Sequence, residues 1–175
     1  MMKQQFILDE LWMLTINASF QRANVYKDDV DEKLKKEFKI RLRECVVDIS
    51  NKYIDNEIND NEHIENIKLL SAFTQTFSNI LNNDNLNFGV CQKMLNLYLK
   101  YLWTMNLIQT PPHFPVDRII QQKLELSPYP WTQMTDETEY LKVIQKAKEY
   151  KAKENKKYEY IAELELDLFN RRSIL

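Results

Sequence analysis

Apolar residues return at intervals of three and four along most of this chain, the pattern of helices that each bury one stripe. A first helix is expected from about Lys3 to Asn24, with Phe6, Leu8, Leu11, Trp12, Thr15 and Ala18 on its inner face. A second follows Asp28 and Asp29, which read as caps, and carries Val30, Leu34, Phe38, Leu42, Cys45, Ile49 and Tyr53 in one line. After a polar link at 56–61, a third helix sets Ile64, Ile67, Leu70, Phe73, Phe77, Ile80 and Leu81 inward and stops at Asn82-Asn83-Asp84-Asn85. Such side chains compete for backbone hydrogen bonds and tolerate left-handed geometry. The fourth segment, Val90 to about Asn106, has large residues on most faces and reads as a central buried helix.

Pro111, Pro112 and Pro115 then impose an extended loop, since proline fixes its own φ and disfavours helix in the residue before it. A short helix over 116–125, an irregular stretch Ser127-Pro128-Tyr129-Pro130-Trp131-Thr132 and a long last helix from Thr135 or Asp136 complete the pattern. Glu149 to Lys157 is almost all charge, which leaves that helix solvated, kinked or broken in two. The expectation is an all-α protein: one compact multi-helix domain over residues 1–175, built around the helix at about 90–106.

Composition narrows the picture. One glycine and five prolines in 175 residues leave little turn chemistry for β-hairpins. No uninterrupted apolar run is long enough for a membrane span, and the first residues lack a signal-peptide pattern, so the expected location is cytoplasmic and no membrane partner is expected. Cys45 and Cys91 lack CxxC spacing, and His63 and His113 belong to no metal-ligand pattern; neither a metal nor a cofactor is expected. With a net charge of −2, contact with nucleic acid must come from a local patch.

The residues that stand out chemically bracket the central helix. The sole glycine begins Gly89-Val90-Cys91-Gln92-Lys93, followed by Asn96, Tyr98, Leu99 and Lys100, and the proline loop leads to Pro115-Val116-Asp117-Arg118. This layout brings an amine and a carboxylate towards each other at helix N-termini. Over about residues 89–120 it resembles the catalytic core of the helix-hairpin-helix DNA glycosylase superfamily, most closely the short branch that excises 8-oxoguanine. There a glycine turn precedes the reactive lysine and an Asp-Arg dipeptide opens a later helix. Cys91 stands where that family usually carries a second glycine, and the spacing of 117 − 93 = 24 residues is a few longer than usual.

The resemblance implies a lysine nucleophile, Lys93, acting on a base flipped out of duplex DNA, with Asp117 orienting it, stabilising charge on the sugar and moving a proton. A Schiff base and strand cleavage by elimination follow from the same chemistry. Phe114, Tyr129 and Trp131 are candidate stacking surfaces, Arg118 and Lys100 candidate phosphate ligands, and His113 a candidate polar group of the pocket. Each has a plainer reading. Asp117 after Pro115 suits a helix N-cap, Trp131 and Tyr129 suit loop residues folded onto the core, and the basic runs at 33–43 and 142–157 suit solvated helix faces. The competing function is a non-enzymatic helical protein, regulatory or phage-related, that binds a protein or nucleic acid.

Overall fold

The computed structural model describes residues 2–154 and 157–169. Among these it is helical throughout, with α1 Met2–Phe20, α2 Glu32–Asn51, α3 Asp60–Thr74, α4 Phe88–Thr104, α5 Arg118–Lys123, α6 Thr138–Lys153 and α7 Ile161–Leu168. Two 3-10 turns, Gln75–Phe77 and Trp131–Gln133, follow α3 and precede α6. The only β pairing among the described residues is the isolated bridge between Tyr26 and Leu81, which ties the loop after α1 to the loop before α4. No helix among them is long and apolar enough to cross a membrane.

Helix starts follow local capping chemistry. Asp29 takes a left-handed φ of 57°, which keeps it outside the helix, so Asp31 caps α2 in place of Asp28 or Asp29, accepting from the Lys33 N–H. Asn59 and Glu62 form a reciprocal capping box on α3. α3 ends at Thr74, short of the Leu81 expected from periodicity. Thr74 explains the stop: its hydroxyl accepts from the Leu86 N–H and its own proton goes to the Ser71 carbonyl, which fixes the chain returning towards α4.

The long last helix is two helices: α6 ends at Lys153 and α7 begins at Ile161, while positions 155 and 156 lie outside the described residues. α7 is held at its start by Glu163, whose carboxylate accepts from the Glu159 and Tyr160 N–H groups.

α4 lies at the centre of the core, with every residue from Phe88 to Lys100 buried. α1 packs against it through small or flat contacts. Thr15 and Ser19 are fully buried and satisfy their hydroxyls on their own helix's carbonyls, and Trp12 meets Tyr98 edge to face at 6.1 Å. Phe6 is an exception to the expected inner face of α1 and stands 65% exposed, because the first turns of α1 run past the core, whereas Ile16 is buried. This packing sets Ala18 in the last turn of α1, and Gln21 and Arg22 just beyond it, beside Lys93 of α4.

Candidate functional site

α4 is buried on all sides, yet it carries Gln92, Lys93, Asn96 and Lys100. Steps of three, four, seven and eight put these four on one side of a helix, so the apolar helix has a single polar stripe. A buried polar group must be paired, and each of these finds a partner, although among the described residues the Asn96 Oδ1 accepts no hydrogen bond.

Lys93 Nζ donates to Asp117 Oδ2 at 2.7 Å, with the two side chains only 9% and 13% exposed. Asp117 also caps α5, its other oxygen accepting from the N–H groups of Ile119 (2.9 Å) and Ile120 (3.1 Å). Burial pushes this carboxyl upward, but the charge and hydrogen bond of Lys93 and the two backbone donors outweigh that and hold it below the ordinary aspartate range. The cap and the ion pair use different oxygens of one carboxylate, so Asp117 serves α5 and Lys93 at once.

The alignment of this pair depends on Gln92, a residue sequence reasoning did not single out. Its carboxamide donates to the Val116 carbonyl (2.8 Å) and accepts from the Val116 N–H (3.1 Å), clamping the backbone one residue before Asp117. Gln121 makes the same two-pronged contact with Tyr129, at 2.8 and 3.0 Å, and so fixes the proline-rich loop. The signal for Gln92 was visible in principle: a polar side chain on a helix otherwise apolar all round has to be answered by something.

Gly89 also has a different role from the one its position suggests. It lies inside the first turn of α4, behind the cap Asn87, and does not form a turn ahead of the helix. A Cβ there would stand 1.7 Å from the Trp131 carbonyl oxygen, so glycine is needed for the close approach of the 131–133 turn. The Gly89 N–H donates to Met134, the Val90 N–H to the Asn87 side chain and the Cys91 N–H to the Asn87 carbonyl. The three amides around this glycine are therefore occupied within the protein.

An open cavity of about 340 Å³ lies over the Lys93–Asp117 pair, walled by Gln21 and Arg22 just after α1, by Arg118, Ile119 and Gln122 of α5, and by Trp131. Three of the other sequence candidates lie elsewhere. Lys100 is buried against Glu165 of α7 at 2.7 Å, with the Phe169 ring 4.2 Å from its amine, so a phosphate role is corrected to a structural ion pair. Phe114 is 2% exposed and belongs to the core, because the proline loop folds inward, which rules it out as an open stacking surface.

His113 is fully buried in a network separate from the cavity. Its Nδ1 meets the Tyr140 hydroxyl at 3.0 Å, its Nε2 lies 3.2 Å from Asp60 Oδ1, and its ring packs at 4.7 Å on His63. Asn96 donates to the same Tyr140 hydroxyl at 2.9 Å, and Tyr53 bonds the Nδ1 of His63 at 2.9 Å. Burial holds both imidazoles below the ordinary histidine pKa.

Comparison with models of protein families, with curated proteins and with solved structures finds no match for this chain.

Proposed function

We propose that this protein is a base-excising nucleic-acid glycosylase with lyase activity, in which Lys93 is the nucleophile and Asp117 its acid-base partner. The observation that supports this most is the 2.7 Å contact between a nearly buried amine and a nearly buried carboxylate, at the floor of a cavity whose rim carries Arg22 and Arg118. An ion pair built only for stability has no need of an open chamber above it or of unpaired arginines around it.

The chemistry follows from what the pair can do. An ordinary lysine amine is protonated at neutral pH and must lose a proton before it can attack. In the resting site, water able to enter the open cavity and the two backbone donors favour the ionised carboxylate of Asp117. A nucleotide filling the cavity removes that water, raises the cost of two charges and favours transfer of the amine proton to Asp117 Oδ2.

The free Nζ then attacks the sugar's anomeric carbon; a carbon–nitrogen bond forms, the glycosidic bond breaks, and its electron pair leaves with the base. Asp117 returns its proton to the departing base and, ionised again, stabilises the positive charge that develops on the sugar. Loss of the second amine proton and ring opening give a Schiff base, from which elimination of the 3′ phosphate cleaves the strand.

The test is borohydride reduction of mixtures of the protein with duplexes carrying oxidised, deaminated or abasic positions. A covalent adduct that disappears in Lys93→Gln is the expected outcome; failure of every lesion and of the abasic duplex to give one refutes the reading.

A further inference from the structure

The cavity above Lys93 does not end at Trp131. A second cavity of about 310 Å³ continues beyond it, lined by Pro128, Tyr129, Pro130 and Thr132, and it shares three walls with the first: Arg22, Arg118 and Trp131. The two arginines come from separate elements, the end of α1 and the first residue of α5. Both are exposed, and among the described residues neither forms an ion pair or a hydrogen bond. Among the described residues of both linings three cations stand against one carboxylate, Asp117, which Lys93 already engages. A chain of net charge −2 thus concentrates positive charge at one place.

Tyr129 adds the second half of the argument. It is 38% exposed, yet both of its backbone polar groups are held by Gln121 and its hydroxyl reaches the Gln133 carbonyl at 3.4 Å. The ring is therefore offered to solvent in a fixed place between two prolines, which suits the stacking of a planar ligand without ordering cost.

We propose that a single nucleic-acid strand crosses both cavities and is gripped at two successive nucleotides. The sugar that meets Lys93 lies in the first cavity, the phosphate joining it to its neighbour lies between Arg22 and Arg118, and the neighbouring base stacks on Tyr129 in the second. This rests on the reading of Lys93 as the nucleophile and extends it to the strand that the site receives. An anion flanked by two cations, beside an aromatic face, is the repeating unit of a polynucleotide, whereas an acidic peptide supplies the charge without the planar ring.

The test uses anisotropy of short labelled oligonucleotides that carry a tetrahydrofuran abasic analogue. It lacks the aldehyde and cannot react with Lys93, so binding is read apart from chemistry. Arg22→Gln and Arg118→Gln each weaken binding and reduce the magnitude of the slope of log affinity against log salt by about 0.7, the release expected for one phosphate contact on a single strand. Tyr129→Ala weakens binding by about 5- to 100-fold. Removing the base next to the analogue has the same effect on the unsubstituted protein and no further effect on Tyr129→Ala.

Because these side chains are exposed, an unchanged thermal midpoint shows that each variant is folded. An unchanged salt slope in Arg22→Gln, equal affinity in Tyr129→Ala, or binding of a polyglutamate peptide without binding of the oligonucleotide overturns the proposal. Arginine-dependent oligonucleotide binding without a borohydride adduct refutes the enzymatic reading alone; an adduct formed with no dependence on Arg22 or Tyr129 refutes the strand path alone.

Discussion

At the scale of single residues, the decisive groups are those that a buried helix should not carry without reason. Gly89 is one. Alanine there forces a Cβ onto the Trp131 carbonyl, and the 131–133 turn, which walls both cavities, must move. Gly89→Ala is expected to lose about 1–3 kcal/mol, as overpacked sites do, seen as a lower urea midpoint. Lys100 and Glu165 are another pair. Removing the carboxylate leaves a buried lysine without its acceptor, so Glu165→Leu is expected to cost about 3–5 kcal/mol, while replacing both members, Lys100→Met with Glu165→Leu, restores much of that in the same denaturation experiment.

The histidines carry a pH signature. Burial keeps His63 and His113 neutral, with folded pKa values below 6.5, while the unfolded chain takes up protons near 6.5. Their stabilising contribution is therefore complete above about pH 6.5 and declines as pH falls through the window below it, at up to about 1.4 kcal/mol per pH unit for each extra proton bound by the unfolded state. Asp60, held well below its usual value by His113 first, against some burial, and by Lys148, adds a further loss only below about pH 3.8. Urea midpoints between pH 8 and 5 should show the first decline, and His63→Gln should make it shallower; a flat profile in the unsubstituted protein contradicts this account of the buried pair.

At the scale of elements, α5 separates the two jobs of Asp117. Asparagine keeps a cap acceptor for the Ile119 and Ile120 N–H groups but cannot take a proton from Lys93. Asp117→Asn should therefore keep the cap yet lose stability through the unpaired Lys93 amine, and lose roughly 10²- to 10⁴-fold in the rate of adduct formation, the usual range for a positioned acid-base group. Asp117→Ala should in addition lose about 1 kcal/mol with the cap. Equal rates for Asp117→Asn and the unsubstituted protein would leave Asp117 as a cap only.

Elements also show what was legible in the chain. α2, α3 and α6 were visible in the period of their apolar residues, because burial of one stripe imposes that period directly; α1 showed it less cleanly, α4 was marked by large residues on most faces, and α5 by the prolines before it. Their ends were less so: Asp29 adopts a left-handed backbone that pattern alone does not reveal, and Thr74 ends α3 through a bond to a residue twelve positions on. The gap between α6 and α7 was one of three readings of the charged stretch.

At the scale of the whole molecule, α4 acts as an axle with one polar stripe, and the elements that answer the stripe define the architecture: the Val116 backbone answers Gln92, the α5 cap answers Lys93, Tyr140 of α6 answers Asn96, and α7 answers Lys100. The approach of Lys93 to Asp117 was readable from two short motifs, since a proline loop between two helices can return the second helix's start to the first. The burial of His113 and the capture of Lys100 were not, because they depend on partners 27 and 65 residues away, nor was the inward fold of Phe114 beside His113. The shared walls of the two cavities depend likewise on where α1 ends over α4.

The central claim is that the Lys93 amine bonds to a sugar carbon. Peptide mass mapping of the product that borohydride yields from the protein and an abasic duplex reads it most directly. The account predicts the sugar-phosphate remnant on the peptide containing Lys93, at that residue. Remnant distributed over surface lysines, or found on any other single amine, contradicts it.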